Sequence, residues 1–326
     1  MPKILGMGYD LPERRVDNDE LARELGLSSE EIGARSGVAT RFYAAAGEGP
    51  SHFAARAASR ALAEASLAAT DLEFLIFATM TPDVTFPGAG CYLQHKLACD
   101  TIGALDVRAQ CAGLVFALDV ADRFLRSGQY RRVLVAGGDV HSSGLDFSPA
   151  GADVTPRYGD GAAVFVLGAE GDDILATAVH TDATEFDRFW CEFPSSRRLP
   201  VRFLPSDFAA GKYFPKIDED YVRKSGLEKI PSVVDEALSL AKIGRGVVSR
   251  YVFQHVFPDV AERAAGALGV RDRAAVGGRD GGHVASASLG ITLGREREAG
   301  RVRPGDVVCL ATAGAGECWG AAVVRL

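Results

Sequence analysis

The chain of 326 residues contains the same order of predicted elements twice, and this repeat restricts its fold more than any other feature. In each half a buried strand precedes a helix with a reactive side chain at its start, and two further strands follow. The first of these helices begins near Cys111 and the second near His283. The closing strands read AAVFVLG and AAVVRL. Strands that alternate with helices predict layered α/β architecture, and the repeat predicts that this architecture is duplicated.

We therefore predict two halves, residues 1–170 with the candidate nucleophile and residues 171–326 with two candidate histidines. An insert at about residues 184–229 interrupts the second half with aromatic and proline-rich chain of weak periodicity. Such a segment forms either a lid or binding wall, or surface chain packed by its own rings. The sequence leaves both interpretations open. Helices are predicted at residues 51–69, 112–127, 231–240, 261–268 and 284–295.

Composition restricts the class of ligand. The net charge is −7 and no Lys/Arg-rich run occurs, so we do not expect a nucleic-acid partner. No apolar run reaches the roughly 18 residues of a membrane span, and the N-terminus does not resemble a signal peptide. The six cysteines are scattered without a C-x-x-C pair, which indicates reduced thiols in a cytoplasmic protein and no metal site.

Cys111 is the strongest candidate for chemistry. It lies where a short strand ends and a helix begins, and Ala112 and Gly113 behind it leave room for a substrate. Unpaired N–H groups and the partial positive charge at a helix start favour the thiolate, which is a nucleophile and an acyl carrier. A buried structural cysteine is the alternative that this segment alone leaves open.

Several segments together resemble the ketoacyl synthase III family within the thiolase superfamily. They cover most of the chain outside the insert and are SEEIGARSGVATRFY, TPDVTFPGAGCYLQHKL, DVRAQCAGLVFALDVADRFLRSGQYRRVLVAGGDV, RYGDGAAVFVLG and GECWGAAVVRL. The resemblance implies the thiolase fold, a duplicated layered α/β/α/β/α architecture. It also implies that Cys111 is acylated by an acyl thioester.

The same resemblance makes His255, in YVFQHVFPD, the catalytic histidine that polarises the extender thioester. Most relatives continue His-Gln-Ala-Asn, whereas this chain continues Val-Phe-Pro. His283 stands where the family usually has asparagine, as in the Cys-His-His set of the elongating synthases. Both side chains donate a hydrogen bond to a thioester or enolate oxygen, and histidine also exchanges protons near neutral pH.

A glycine-rich turn near the C-terminus, TAGAGECWG, completes the predicted site. By resemblance, the backbone N–H of Ala315 joins that of Cys111 as the oxyanion hole. A dinucleotide loop is excluded, because the few residues after Gly316 cannot form a βαβ unit.

The resemblance implies acyl-CoA or an acyl carrier protein as substrate, no cofactor, and a homodimer. Arg35 is a candidate phosphate contact, although the tryptophan that stacks on adenine in coenzyme-A-using relatives is absent. Val260 replaces the arginine that meets carrier protein in relatives. Phe86 resembles the residue that closes the partner's acyl tunnel, with a core phenylalanine as the alternative. Trp190, in the aromatic insert, is a candidate for the wall of an apolar pocket.

The predicted reaction is a decarboxylating Claisen condensation of acyl-Cys111 with a malonyl-type extender, in fatty acid or polyketide biosynthesis. One alternative passes the acyl group to a hydroxyl, amine or thiol without forming a carbon–carbon bond. A second alternative is a non-catalytic partner subunit.

Overall fold

The computed structural model describes residues 2–193, 195–197, 200–201 and 203–326. The α-helices are α1 (Asn18–Leu25), α2 (Ser29–Ser36), α3 (Pro50–Ala65), α4 (Ala89–Leu97), α5 (Gly113–Arg126), α6 (Pro205–Ala209), α7 (Glu219–Leu240), α8 (Pro258–Ala267) and α9 (Ser288–Glu298). The strands are β1 (Lys3–Asp10), β2 (Arg14–Asp17), β3 (Thr40–Tyr43), β4 (Phe74–Ala78), β5 (Gly103–Val107), β6 (Arg132–Asp139), β7 (Gly161–Gly168), β8 (Ile174–Thr181), β9 (Phe189–Trp190), β10 (Lys216–Ile217), β11 (Arg250–Gln254), β12 (Ala274–Val276), β13 (Asp280–Gly281), β14 (Val307–Gly314) and β15 (Cys318–Arg325).

Two five-stranded sheets have the same topology. The first has the order β1-β7-β6-β4-β5 and the second the order β8-β15-β14-β11-β12. In each sheet the last three strands in that order are parallel to one another, and the first two pair antiparallel. The predicted duplicated α/β fold is therefore confirmed.

The two sheets enclose a middle layer made by α5 and α9. Leu114 and Val115 of α5, together with Leu289 of α9, pack with apolar side chains from both sheets. Helices α3 and α4 cover the outer face of the first sheet, and α7 and α8 cover that of the second. Each fully buried aliphatic side chain contributes about 1.5–3 kcal/mol to this α/β/α/β/α stack.

Helix α7 begins earlier than predicted. It starts at Glu219, because the Asp218 carboxylate caps it by accepting a hydrogen bond from the Tyr221 N–H at 3.2 Å. The helix predicted at 231–240 is thus correct in its end and wrong in its start. Its first turns lack a clear apolar period because small residues, Ser225 and Gly226, occupy buried positions there.

In contrast, the helices next to the candidate residues Cys111 and His283 begin later than predicted. Cys111 lies in a 3-10 turn, Gln110–Ala112, that precedes α5. His283 precedes a second such turn, Ala285–Ala287, and α9 begins only at Ser288. The Ser288 hydroxyl accepts a hydrogen bond from the Val284 N–H at 2.8 Å, which fixes this entry to the helix. None of the described helices combines the length and the apolar character needed to cross a bilayer.

Candidate active site

Cys111 lies between the start of α5 and the end of strand β14. Its side chain is 2% exposed. A Cβ atom added to Gly314 would lie 2.3 Å from the Cys111 sulfur, so only glycine leaves space for the thiol. The backbone N–H groups of Ala315 and of Cys111 itself both act on that sulfur, since each lowers the pKa of the thiol. The two predicted oxyanion donors therefore converge on the candidate nucleophile.

The charge state of Cys111 differs from the expectation. Burial raises the pKa of the thiol to about 12, and the hydrogen bond from the Ala315 N–H offsets only part of this effect. The prediction that the helix start favours the thiolate is therefore wrong for the substrate-free site. Removing the sulfur from water outweighs the partial charge of a helix start, since desolvation disfavours the charged form.

His283 is in direct contact with the sulfur. Its Nε2 lies 3.1 Å from the Cys111 Sγ, and its ring is 1% exposed. The backbone of His283 is fixed by two hydrogen bonds. Its backbone N–H donates to the Arg157 carbonyl at 2.8 Å, and its carbonyl accepts from the Gly159 N–H at 3.1 Å. The ring of Tyr158 packs edge-on at 5.5 Å between centroids. Burial, with His141 and His255 nearby, lowers the pKa of His283 well below its ordinary value.

His255 follows the last residue of β11 and is 1% exposed. The Phe257 N–H donates to its Nδ1 at 3.1 Å, so the neutral ring carries its proton on Nε2. A Cβ atom on Gly226 of α7 would lie 2.6 Å from that Nε2, which explains the glycine in this helix. Burial lowers the pKa of His255 to about 4, so the ring is neutral at pH 7.

The turn that follows His283 is anchored to the first half of the chain. Asp139, the last residue of β6, is fully buried and accepts from the Ser286 N–H at 3.0 Å and its hydroxyl at 2.6 Å. The same carboxylate accepts from the hydroxyls of Thr79 and Thr81 at 3.1 and 3.0 Å. It thereby ties the ends of β4 and β6 to the segment that carries His283.

Among the described residues, none of the three predicted substrate-binding residues hydrogen-bonds to Cys111, His255 or His283. Phe86 is 80% exposed, so the alternative of a core phenylalanine is wrong. Arg35 is at the surface, where its guanidinium pairs with Asp153 at 3.2 Å. Trp190 lines an open groove of about 530 Å³ together with charged residues such as Arg188 and Lys216.

Sequence reasoning did not identify three residues that border the site. Phe189, next to Trp190, belongs to the same apolar cluster as Cys111, and Tyr158 belongs to it as well. Gln254 binds the second ring nitrogen of His283, with its Nε2 2.6 Å from Nδ1. Gln254 directly precedes His255, so its position beside a candidate histidine was the available signal.

Similarity to known proteins covers the whole chain. Residues 105–183 match the family described as 3-oxoacyl-[acyl-carrier-protein (ACP)] synthase III, and residues 238–326 match its C-terminal part. The chain is 34% identical to β-ketoacyl-[acyl-carrier-protein] synthase III of Rhodospirillum centenum, over 99% of this chain and 98% of that protein. It is 33% identical to the protein of the same name from Ruegeria sp., with the same shares covered.

A solved structure agrees with these similarities. The 3-oxoacyl-[acyl-carrier-protein] synthase III from Aquifex aeolicus has a TM-score of 0.89 at 28% identity, with 100% of both chains covered. The family and the thiolase fold expected from the sequence are thereby confirmed. This chain belongs to the β-ketoacyl-[acyl-carrier-protein] synthase III family of condensing enzymes.

Proposed function

We propose that this chain forms an acyl-enzyme on Cys111 and condenses the acyl group with a malonyl-type extender. The observation that carries the proposal is the contact of 3.1 Å between the Cys111 sulfur and the His283 Nε2. Burial keeps the sulfur uncharged at rest, and the nearby hydrogen-bond donors can stabilise negative charge when it develops during the reaction.

In the first step the sulfur attacks the carbonyl of an acyl thioester. The backbone N–H groups of Cys111 and Ala315 hold the oxyanion, and each such donor lowers a barrier by roughly 3 kcal/mol. The thiol of the donor leaves as the thioester with Cys111 forms. Since the pKa of Cys111 is raised, its thiol loses the proton only as the sulfur attacks the carbonyl, and that proton passes to the departing sulfur of the donor.

In the second step the malonyl-type thioester binds beside His255 and His283. Loss of carbon dioxide leaves an enolate, and a neutral imidazole N–H stabilises its oxygen by hydrogen bonding. The low pKa of His255 keeps it in this donating form at neutral pH. Attack of the enolate carbon on the acyl-Cys111 carbonyl forms the carbon–carbon bond and breaks the carbon–sulfur bond. The Cys111 sulfur leaves as a thiolate and takes up a proton from solvent to restore the thiol.

The donor is an acyl thioester of coenzyme A or of an acyl carrier protein. The insert supplies part of the wall, since Phe189 and Val222 pack in the apolar cluster that holds Cys111. The exposed guanidinium of Arg35 is suited to a phosphate group, with Asp153 as the partner that must be displaced. Trp190, in its groove beside Arg188 and Lys216, is suited to the outer part of such a donor.

We propose further that two copies of this chain associate along strand β5. This strand is an edge of the first sheet, and its residue Leu105 is 37% exposed. Phe86 lies in the loop before α4, whose first N–H groups bind Asp106 of β5 at 2.6 and 2.8 Å. Unpaired edge strands with apolar side chains favour pairing with a second chain. Sedimentation of the wild type and of Leu105→Arg tests this, and a monomeric wild type would contradict it.

Intact-mass measurement tests the first step. After incubation with a panel of acyl thioesters, the wild type is expected to gain one acyl group and Cys111→Ala none. A wild type that gains no acyl mass from any thioester would overturn the proposal and favour a non-catalytic subunit.

Malonyl thioester added to the acylated enzyme tests the second step. Carbon dioxide release with a β-keto product supports condensation. Transfer of the acyl group to a hydroxyl, amine or thiol acceptor without carbon dioxide release would contradict it.

A further inference from the structure

The side chain of Gln254 connects the two candidate histidines. It is fully buried at the end of β11. Its Nε2 lies 3.1 Å from the carbonyl oxygen of His255 and 2.6 Å from the Nδ1 of His283. One amide NH₂ group therefore faces two neighbours, and its two hydrogens are enough to serve both.

The carbonyl of His255 determines which way the amide of Gln254 faces. A carbonyl oxygen only accepts hydrogen bonds, so the amide nitrogen has to lie on that side. Reversing the amide would put two oxygen atoms against each other. The Gln254 Oε1 has no protein partner in the described part of the chain. A cavity of about 10 Å³ borders Gln254 between Gly278 and Thr292, which is about the room for one water molecule as donor.

The tautomer of His283 follows from this orientation. Because the Gln254 N–H points at Nδ1, that nitrogen has to accept and cannot carry a proton. The neutral ring then has its proton on Nε2, which faces the Cys111 sulfur at 3.1 Å. No carboxylate among the described residues binds the ring, and its other titratable neighbours are His141, His255 and Tyr158.

We propose that Gln254 is a positioning residue that holds His283 as the neutral Nε2–H tautomer. His283 then donates a hydrogen bond to the Cys111 sulfur, and later to the substrate oxygen, and it does not remove a proton. This inference rests on the proposed function and makes it more specific. It also explains how histidine can stand where the family usually has asparagine, because an imidazole N–H donates as an amide N–H does. A ring held in this form has its lone pair on Nδ1, where the Gln254 amide occupies it, so the nitrogen that faces Cys111 cannot deprotonate a hydroxyl or amine acceptor.

Nitrogen NMR of protein labelled with ¹⁵N-histidine reads the tautomer directly in the unacylated enzyme. The signals of His283 are assigned by their loss in His283→Asn. We expect an unprotonated Nδ1 and a protonated Nε2 at pH 7. A protonated Nδ1 would overturn the proposal, whatever the activity of the protein. Failure of the proposed function would instead appear as missing acyl mass on Cys111, so the two results are distinguishable.

Gln254→Glu tests the cause of the tautomer. A carboxylate accepts from Nδ1–H and raises the pKa of His283, so the NMR signals are expected to change to the Nδ1-protonated or doubly protonated form. The acid limb of the malonyl decarboxylation rate is expected to move to higher pH, with a rate at pH 7 lower by about tenfold or more. Gln94→Glu, the same change on the surface helix α4, is the control and should change neither. Unchanged His283 signals in folded Gln254→Glu would overturn the proposal, as would an unchanged pH profile.

Discussion

The two halves of the chain have the same topology but end their equivalent middle strands differently. Strand β6 ends at the carboxylate of Asp139, whereas β14 ends at Gly314. Asp139 binds Ser286, in the turn that follows His283, and Gly314 leaves space for the Cys111 sulfur. Each half thus supports the reactive segment of the other. The comparison teaches that a duplicated fold gives each half a distinct task through single residues at strand ends.

A second difference concerns the candidate catalytic groups that the two halves contribute. The first half contributes a sulfur whose pKa is raised by burial, and the second half contributes two imidazoles whose pKa is lowered by burial. Both effects have one cause, since removal of water disfavours every charged form. The site is therefore neutral before substrate binds, and charge develops only during the reaction.

Removing the ring of His255 is expected to have the largest effect, because it should largely abolish decarboxylation while leaving the acylation of Cys111 intact. His255→Ala is expected to lower malonyl decarboxylation by about 10²–10⁴-fold, because the developing enolate loses a donor. Acylation of Cys111, measured by intact mass, should remain. His95→Ala, on the exposed face of α4, is the matched control. Loss of acylation along with decarboxylation in folded protein would contradict this division of tasks.

Adding one methyl group at the end of β14, in the second half, should slow the acylation of Cys111, in the first half. Gly314→Ala places a Cβ 2.3 Å from the Cys111 sulfur, so the rate of acylation is expected to fall roughly a hundredfold. Gly314 has extended backbone, φ −167°, so the effect is steric and not conformational. Gly144→Ala, where a Cβ would meet nothing within 4 Å, is the control. Equal acylation rates in the two variants would contradict the prediction.

Changing the carboxylate at the end of β6 should lower stability. Asp139→Asn replaces an acceptor of several hydrogen bonds with a group that must also donate. The free energy of unfolding, measured by chemical denaturation, is expected to fall by about 1–3 kcal/mol. Asp153→Asn, at an exposed carboxylate, should leave it nearly unchanged. If both variants unfold alike, the anchoring role of Asp139 is wrong.

The smallest effect concerns pH. With the pKa of His255 lowered to about 4 and that of His283 lower than usual, both rings stay neutral well below pH 7. Protonation would begin to matter only as the pH falls towards 4. The decarboxylation rate of pre-acylated enzyme is therefore expected to vary within about twofold between pH 5.5 and 8. A decline centred near pH 6.5 would indicate an ordinary, solvated histidine.

The duplicated fold could be predicted because its strands and helices have recognisable local patterns of apolar residues. Buried strands such as β4 and β14 read as apolar runs, and the helices between them read as alanine-rich periodic chain. The start of α7 could not be predicted, because two small residues, Ser225 and Gly226, are buried there, and Gly226 lies against His255. Small residues at buried positions hide the apolar period on which sequence reasoning depends.

Only part of the candidate site could be identified from the sequence, because only some of its residues stand out by residue type. Cys111, His255 and His283 are distinctive residue types in segments that resemble a known family. Gln254 is chemically ordinary, and only its distance of 2.6 Å from His283 gives it a role. Asp139 likewise binds Ser286, which lies 147 positions away along the chain.

Residue type and local periodicity were enough to predict the repeated order of elements and the family, and they singled out three candidate catalytic side chains, Cys111, His255 and His283. The tertiary structure alone decided the charge state of Cys111 and the hydrogen-bond partners of His283. It also decided which glycine leaves space for the sulfur. Those properties depend on burial and on contacts between the two halves, and neither is encoded in the spacing of residues along the chain.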